Sequence, residues 1–551
     1  MFTPSDRRLL RGYGPLIGFV LVFVLVAAFV PTVAREQVTL RVAGGTGGGS
    51  GSGVDAGGGS TTGSAPGGGS GGGTASGNTA GSGGGGQGSA VTPQASIPAS
   101  TSACPGRTKQ VPGDPYSPPC IAFSGGNGGA TSRGVTKDSI TVAFRQTSDP
   151  GFQQTLASLG GASFSDTPGD IQRTVLGLAK YFNTHFQFYG RKLNFVFYNG
   201  QGSQTNELLG GGQQEANADA ITVGQKIKAF ADMSATTEPY GDALARQKVV
   251  GFGVPYLSRE WMTERRPYMW SIATDCSVIT ETVSEVGVKQ VLGKPAEHAG
   301  GDLKGKPRKP VILAPDNPWY QECVKAGLAI VKKAGKPVPQ TIAYSLNLST
   351  MSSQAASIIA KLKSEGVTTV ICGCDPVIPV YLTSKAKEQN YIPEWVVTGT
   401  ALTDQDIVGQ LFDQTEWAHA FGISYAAEQP PQRATLGYAA YKSVNSDTPA
   451  NAVDLIYQQM YMLALGVQLA GPDLTPQTFE QGMFRYPGGT GQYGTWGFGP
   501  GHYTPTQDAR EIYWDPTRIS KYNGKQGAYV TSSERYKQGH WPTADHVKAY
   551  Q

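Results

Sequence analysis

From residue 134 onward, apolar side chains alternate between strand-like and helix-like spacing. Residues 139–146 (SITVAFRQ) and 192–198 (KLNFVFY) are apolar at every second position, which predicts half-buried strands. Between them, residues 169–186 repeat apolar side chains three or four positions apart, as an amphipathic helix does. A further strand is predicted at 249–254. Strands that alternate with helices indicate βαβ units around a parallel sheet.

The same alternation begins again near residue 268 and predicts a second sheet. Its expected strands are residues 268–273, 310–315, 341–344, 367–373 and 394–399. The expected helices of this half and of the chain after it are residues 278–292, 320–333, 352–363, 435–443 and 452–469. We therefore expect an α/β fold of two doubly wound parallel-sheet lobes joined by a hinge. Ligands of such open sheets bind in crevices at the carboxyl ends of the strands.

A run without charged residues covers residues 12–34, directly after Arg7, Arg8 and Arg11. The run of about 23 residues is long enough to cross a bilayer, which needs about 20. The arginines predict a cytoplasmic N-terminus (residues 1–11) and an exported remainder. We expect a retained transmembrane anchor, and thus a single-pass protein of the cell membrane with an extracytoplasmic body. The alternative is a signal sequence cleaved after Ala34, which would release a secreted protein.

Residues 35–131 are expected to form a linker. Glycine, serine, threonine and alanine dominate residues 44–90, which have too few large side chains to build a core and are expected to form a flexible coil. Residues 91–131 are rich in proline and glycine and contain Cys104 and Cys120, which we predict to form a local disulfide. The pairing of the remaining cysteines stays open: Cys276, Cys323, Cys372 and Cys374.

Composition narrows the classes of function. A formal net charge of +4 on 551 residues gives no basic field of the kind that nucleic-acid binding requires. The six histidines are scattered, and none belongs to a His-Glu-x-x-His motif, so we expect neither a metal site nor a cofactor. The one Gly-x-Ser-x-Gly match, at Ser70, falls in the glycine-rich stretch and lacks the strand and helix that a catalytic serine needs.

Four stretches of the body follow one another in a familiar order. They are GVTKDSITVAF (134–144), AKYFNTHFQFYGRKLNFVFYN (179–199), PYMWSIATD (267–275) and DNPWYQECVKAG (316–327). They resemble the opening strand, the first helix with the second strand, the crossing into the second lobe, and the following loop and helix of branched-chain amino-acid binding proteins. The resemblance runs from residue 134 to residue 529. It implies the type I periplasmic-binding-protein fold, in which two lobes close on a small solute.

The resemblance implies candidate ligand contacts in the first lobe. Ser234 and Thr236 lie where the family offers hydroxyl and backbone N–H groups to a ligand carboxylate. The alternative for this SATT stretch is a cap on the next helix, and both roles are compatible. Tyr256 and Ser258 lie where a loop of the family touches the ligand.

The second lobe is implied to supply the remaining contacts. Tyr320 matches the family tyrosine that covers the ligand, with Trp319 beside it, although Trp319 is equally explained by core packing. The family's amino-acid binders also hold the ammonium group with an acid. Near the matching strand end lie Thr398, Gly399 and Thr400, with Asp404 further on, and Asp375 after Cys374 is another candidate. Neither acid aligns cleanly with the position in the family. The stretch at 200–213 looks like an insertion, and no lipid-attachment cysteine is found.

The resemblance also implies the division of the body. Lobe 1 is expected to contain residues 132–272 and about 428–551, and lobe 2 residues 273–427. The expected function is extracytoplasmic capture of a small polar solute (an amino acid, an amide or a related organic acid) for an ABC permease, without catalysis. The alternatives are a membrane-tethered sensor, a secreted hydrolase and a purely structural envelope protein.

Overall fold

The computed structural model describes residues 104, 106–147, 166–426 and 428–550. The expected cytoplasmic segment, the expected membrane segment 12–34 and the glycine-rich stretch 44–90 lie outside the described residues. Within the described ranges, we find no helix that is both long and apolar enough to cross a membrane.

Strands and helices alternate over most of the described chain. The strands are β1 Ser139–Gln146, β2 Lys192–Asn199, β3 Ala231–Asp232, β4 Val250–Phe252, β5 Met269–Trp270, β6 Pro310–Pro315, β7 Gln340–Tyr344, β8 Thr369–Cys372, β9 Glu394–Val397, β10 Ala420–Ser424, β11 Gly489–Gly491, β12 Gly494–Trp496, β13 Asp508–Ile519 and β14 Gln526–Lys537.

The helices pack on the faces of these strands. They are α1 Pro168–His185, α2 Gln204–Leu208, α3 Gln213–Ile221, α4 Glu238–Arg246, α5 Arg259–Glu264, α6 Cys276–Val286, α7 Pro318–Lys333, α8 Met351–Ser364, α9 Ile378–Glu388, α10 Asp406–Gly409, α11 Gln414–Trp417, α12 Leu436–Val444, α13 Val453–Ala470 and α14 Pro476–Phe484. Short π-helical segments extend α3 and α6, at Thr222–Ile227 and Gly287–Val291.

Lobe 1 is built on a sheet of order β2-β1-β3-β4-β5, in which every pairing is parallel. The predicted strand at 139–146 is confirmed, and the predicted helix at 169–186 matches α1 within one residue at each end. A capping box between Thr167 and Asp170 fixes the start of α1. The helices α12 to α14 return to this lobe and join its hydrophobic core.

Lobe 2 is built on a larger, mixed sheet of order β14-β13-β10-β9-β8-β6-β7. The strands from β10 to β7 in that order are parallel, whereas β13 pairs antiparallel with both β10 and β14. The sequence pattern predicts β6, β7, β8 and β9 and misses β10 and the hairpin β13–β14. The strand expected at 268–273 as the start of this sheet is β5, which pairs with β4 in the sheet of lobe 1. The hairpin β13–β14 corrects the expected lobe boundary, because residues 508–537 belong to lobe 2 and not to lobe 1.

The chain passes between the lobes three times in its described part, near residues 271–275, 425–435 and 504–507. Two of these crossings are hydrogen-bonded to each other, since the Thr504 hydroxyl donates to Asp275 Oδ2 at 3.1 Å. The other oxygen of Asp275 accepts from the Val278 N–H at 2.9 Å and caps α6. Burial raises the pKa of Asp275. The hinge is therefore tied directly to the first helix of lobe 2.

The last part of the expected linker is packed on lobe 1. The Tyr116 hydroxyl donates to the Gly494 carbonyl at 2.7 Å, and the Tyr461 hydroxyl donates to Asp114 Oδ2 at 2.9 Å. Tyr116 is fully buried in the lobe 1 core. Residues 109–121 thus form a strap on the folded body, and the linker ends earlier than residue 131. The reason is aromatic burial, which the proline- and glycine-rich composition conceals.

Three disulfides are present in the described residues. One joins Cys104 and Cys120, the pair that the sequence predicts, with a Cα–Cα distance of 5.9 Å. The other two join Cys276 to Cys323, which links α6 to α7, and Cys372 to Cys374 at the end of β8.

Candidate functional site

A cavity of about 380 Å3 opens at the carboxyl ends of the parallel strands, between the lobes. Lobe 1 contributes residues of α2 and of the loops after β3 and β4. Lobe 2 contributes α6, α7, β6 and the loops after β8 and β9. The volume lies in the range of small-molecule pockets, and the position is the one where ligands of open sheets bind.

The two lobes touch each other beside this cavity. The Asn317 side chain, at the start of α7, donates to the Leu208 carbonyl at 3.0 Å. Trp319 lies against the same loop of lobe 1, since a β-carbon on Gly210 would be 3.5 Å from its ring. The stretch 200–213, which looks like an insertion in the sequence, therefore forms part of the cavity wall and of the contact between lobes.

Five of the eight predicted ligand contacts line the cavity. They are Thr236, Tyr256, Tyr320, Asp375 and Thr400. The structure thus brings together residues from four separate loops and one helix, as the resemblance implies. Their role in binding stays a prediction.

Ser234, Ser258 and Trp319 do not line the cavity. The Ser234 hydroxyl donates to Asp232 Oδ1 and accepts from the Arg145 N–H, each at 2.7 Å. Ser258 is the N-cap of α5. Both hydroxyls are therefore occupied by the protein itself. The cap alternative for the SATT stretch is met only by position, since Thr237 is the N-cap residue of α4 but its side chain makes no capping hydrogen bond.

Asp375 lies at the cavity but has little capacity left for a ligand. The Tyr344 hydroxyl donates to Oδ2 at 2.7 Å, while the Val377 and Ile378 N–H groups donate to Oδ1 at 2.7 Å and 3.2 Å. Burial raises the pKa of Asp375 despite these donors. The carboxyl group holds the chain in place before α9, and it is poorly suited to pair with a ligand ammonium.

Hydroxyl groups dominate the polar part of the wall. The Thr398 hydroxyl donates to the Cys372 carbonyl at 2.9 Å and lies 3.0 Å from the Thr400 hydroxyl. Across the cleft, the Gln204 amide donates to the Thr236 hydroxyl at 3.5 Å. Tyr320 adds a phenol whose pKa is raised to about 12, mainly by burial. Each of these groups is neutral near pH 7.

Three non-glycine residues with left-handed backbone meet at the cleft. Tyr256 has φ 58°, and Ala401 and Leu402, on the facing loop of lobe 2, have φ 49° and 62°. All three line the cavity. Left-handed conformations are unfavourable for these residue types and cluster at ligand sites. Burial, together with nearby Asp404, raises the pKa of Tyr256.

The larger part of the wall is apolar, and the sequence reasoning misses it. These residues belong to α6, α7, β6 and the segment after β7, and include Val283, Ile312, Ala314, Val324, Val331, Leu346 and Leu348. Apolar residues at helical or strand spacing indicate core, so no signal in the sequence separates a residue that lines a cavity from one that fills it. Of the described residues that line the cavity, only Asp375 has a charged side chain.

Metal binding finds no support in the described part of the chain. No group of three or more histidine, cysteine, aspartate or glutamate side chains is arranged there to hold an ion. The Cys372-x-Cys374 pair is a disulfide.

Comparison with known proteins identifies a relationship. Residues 157–518, more than half of the chain, match the family model described as periplasmic binding protein. No curated protein sequence matches the chain. A solute-binding protein of an ABC transporter from R. palustris, in complex with 4-hydroxybenzoate, is similar with 13% identity and a TM-score of 0.51, over 73% of this chain and 99% of that one.

Two further solved structures are similar at the same level. A fatty acid ABC transporter substrate-binding protein from Thermomonospora curvata has 12% identity and a TM-score of 0.50, over 75% of this chain and 97% of that one. A leucine-, isoleucine-, valine-, threonine- and alanine-binding protein from Brucella ovis, in a closed conformation, has 11% identity and a TM-score of 0.50, over 75% and 99%. At such identities the likeness concerns the fold.

Proposed function

Since the chain belongs to the periplasmic binding protein family, we propose that its cleft captures one organic solute and presents it to an ABC permease. The family consists of solute-binding proteins and not of enzymes. The observation that carries the proposal is that residues of both lobes, at the carboxyl ends of their strands, line the same cavity. A solute there contacts both lobes at once and favours the closed arrangement, which a permease can recognise.

The chemistry of the wall favours an organic acid over an amino acid. An amino acid needs an anion for its ammonium group, and the oxygens of Asp375 already accept three hydrogen bonds from the protein. Hydroxyl groups such as those of Thr236, Tyr256 and Thr400 are donors to carboxyl oxygens. The solved structures of similar fold include proteins that carry 4-hydroxybenzoate or are named for fatty acids, and both ligands are carboxylic acids with an apolar body.

We propose that the solute-binding body lies outside the cytoplasmic membrane, held by residues 12–34 and connected to them through the glycine-rich stretch. Three arginines before the apolar run and the glycine-rich stretch after it support this arrangement. The disulfides fit an oxidising compartment. N-terminal sequencing of protein from the membrane fraction tests the anchor. A chain that starts at Arg35 would show cleavage and a secreted protein.

A thermal-shift screen tests the function. We expect the full-length protein to be stabilised by one member of a panel of aromatic and aliphatic carboxylic acids, and not by amino acids, with the ligand recovered unchanged. Stabilisation by amino acids and by no carboxylic acid of the panel would contradict our inference that Asp375 does not pair with a ligand ammonium group.

Tyr320→Ala tests the site. Because most of the ring is buried, its loss should weaken binding by roughly ten- to a hundredfold in calorimetry. The control is Tyr381→Ala, which removes a half-buried ring of lobe 2 that lies outside the cavity wall. Equal effects of the two variants would place the site elsewhere.

A further inference from the structure

The cavity continues from the cleft along the whole of two helices of lobe 2. On α7, the residues in its wall are spaced three or four apart and form one stripe: Tyr320, Cys323, Val324, Gly327 and Val331. On α6 and its extension, a second stripe has the same spacing: Cys276, Ile279, Thr280, Val283, Ser284 and Gly287. Two facing stripes of this kind make the sides of a channel.

The sheet of lobe 2 forms the floor of this channel. Ile312 and Ala314 of β6 point into it, while their neighbours Val311 and Leu313 are buried in the core on the opposite face. Ile312 is only partly buried although β6 lies between β7 and β8 in the sheet. The Ile312 side chain faces the cavity. In a completely packed core, a side chain at this position would be fully buried.

The interior of the channel is lined by apolar side chains, and the few hydroxyl groups among them are hydrogen-bonded within the protein. Its two hydroxyl groups donate to backbone carbonyls of the facing helix, Thr280 to Cys323 at 3.3 Å and Ser284 to Gly327 at 3.4 Å. The cleft end adds the hydroxyl of Thr236, which accepts from the Gln204 amide at 3.5 Å. It also adds the hydroxyl of Thr400, which lies 3.0 Å from the Thr398 hydroxyl and 3.4 Å from the Cys374 carbonyl. The walls therefore favour an occupant with one polar end in the cleft and a hydrocarbon body inside lobe 2.

The length and width of the channel define that body. From Tyr320 to Val331 the helix rises by about 16 Å, at about 1.5 Å per residue. An extended hydrocarbon advances about 1.3 Å per carbon, given tetrahedral C–C bonds of about 1.5 Å. The channel thus accepts roughly a dozen carbons. The two helices are in contact with each other, since a β-carbon on Gly327 would lie 2.9 Å from Thr280 Cγ2, so the channel lies between this contact and the sheet.

From these observations we propose that the solute is an unbranched aliphatic monocarboxylic acid of roughly a dozen carbons, whose tail lies between α6, α7 and the sheet. The carboxyl group occupies the cleft at Thr236, Tyr256 and Thr400. The inference rests on the proposed solute-binding function and specifies its substrate class. It assigns Val324 and Val331 as the residues that set the accepted chain length.

A series of saturated acids, from butanoic to hexadecanoic acid, tests the channel on the full-length protein. Each buried CH2 adds about 0.8 kcal/mol, so the affinity should rise about fourfold per carbon up to roughly dodecanoic acid and then level off. Calorimetry below the micelle concentration of each acid measures this rise. An affinity that does not depend on chain length would overturn the inference.

Substitutions in the channel should act as a ruler. Val331→Phe, at the far end, should move the plateau to shorter acids, and Val324→Phe, nearer the cleft, should move it further. Ala329→Phe adds a ring on the exposed side of the same helix and controls for nonspecific partitioning. If all three variants keep the wild-type plateau, the tail does not lie in this channel.

The failure of this inference differs from the failure of the proposed function. Tight binding of benzoate derivatives that Val324→Phe leaves unchanged would refute the channel and keep the solute-binding role. Binding of no acid in either panel would refute both. The wild-type series needs no variant, so it decides the question even where a substituted protein folds poorly.

Discussion

Lobe 1 has a filled core and lobe 2 contains a channel, although both are built on largely parallel sheets with helices on two faces. In lobe 1 one continuous cluster of buried residues surrounds the sheet, and the ring of Phe479 packs within 6.2 Å of the rings of Trp270, Phe252 and Phe230. In lobe 2 the face under α8 and α9 is filled in the same way. On the other face, two small clusters around Ile279 and Ile371 are separate, and the channel adjoins both.

The difference shows where a binding protein can give up packing. Protein interiors are close-packed, and each unfilled space removes contacts that would stabilise the fold. Lobe 2 keeps one filled face and uses the other for the channel, with a disulfide and a long hairpin as compensation. In the binding that we propose, lobe 2 contributes the larger part of the cavity wall and therefore of the contacts with the solute.

The largest loss of stability is expected in the filled lobe. Phe479→Ala should destabilise the protein by up to about 5 kcal/mol, because the ring is fully buried among aromatic neighbours and leaves a cavity behind. Urea unfolding measures the change. The same substitution at half-buried Phe498 should have a clearly smaller effect. Equal losses would mean that the core of lobe 1 relaxes around the missing ring.

The stability of lobe 2 should depend on the disulfide between Cys276 and Cys323. The pair Cys276→Ser and Cys323→Ser opens a loop with a sequence separation of 47, for which chain entropy gives about 4 kcal/mol. The matched pair Cys104→Ser and Cys120→Ser opens a separation of 16 and should cost about 3 kcal/mol. Thermal unfolding of both variants compares them. A larger loss of stability in the Cys104→Ser and Cys120→Ser variant would contradict the greater contribution that we expect from the bond between Cys276 and Cys323.

Substitutions of two neighbouring residues of β6 compare how much each face of the lobe 2 sheet contributes to the free energy of unfolding. Leu313→Ala removes a side chain from the filled face and should cost about 3 kcal/mol. Ile312→Ala enlarges an existing channel and should cost only about 1 kcal/mol. The free energies of unfolding, measured without ligand, give the ratio. A ratio near one would show that the space beside Ile312 closes when no ligand is bound.

The last prediction concerns the dependence of stability on pH and a carboxyl group of the filled face. Burial raises the pKa of Glu416 to about 8. A raised folded-state pKa contributes stability that is complete below the unfolded value, near 4.5, and is lost as the pH rises through about 8. Glu416→Gln should remove a slope of up to about 1.4 kcal/mol per pH unit in this window. Exposed Glu388→Gln is the control, and identical slopes would contradict burial as the cause.

Periodicity predicts most of the fold, because strands and helices with one buried face repeat apolar residues in a regular way. The strand at 139–146 and the helices at 352–363 and 452–469 match the structure within one residue at each end. The hairpin β13–β14 is missed, since its two long strands are rich in polar and charged residues and alternate poorly. The strap around Tyr116 is missed because proline and glycine dominate its composition.

The site is predictable only where a residue type has a distinct chemistry. Tyr256, Tyr320 and Thr400 are predicted from the resemblance to a known family, and all three line the cavity, while their role in binding stays a prediction. Ser234 does not line the cavity, because its own hydroxyl donates to Asp232 within the protein. The sequence alone does not show such hydrogen-bond partners. Val324 and Val331 are missed for the opposite reason, since valine in a buried stripe has the same pattern whether it meets another side chain or a ligand.

Because the bond between Cys276 and Cys323 is a disulfide, the structure of the cleft entrance depends on the redox state of the compartment that contains the protein. The two cysteines lie at the cleft end of α6 and α7, so this bond fixes the spacing of the walls at the entrance. Thiols stay reduced in the cytoplasm, and the bond forms only in an oxidising compartment. In the extracytoplasmic location that we propose, a newly made chain has an entrance of unfixed spacing until it leaves the cytoplasm. The entrance then reaches its final spacing in the compartment from which the proposed solute is captured.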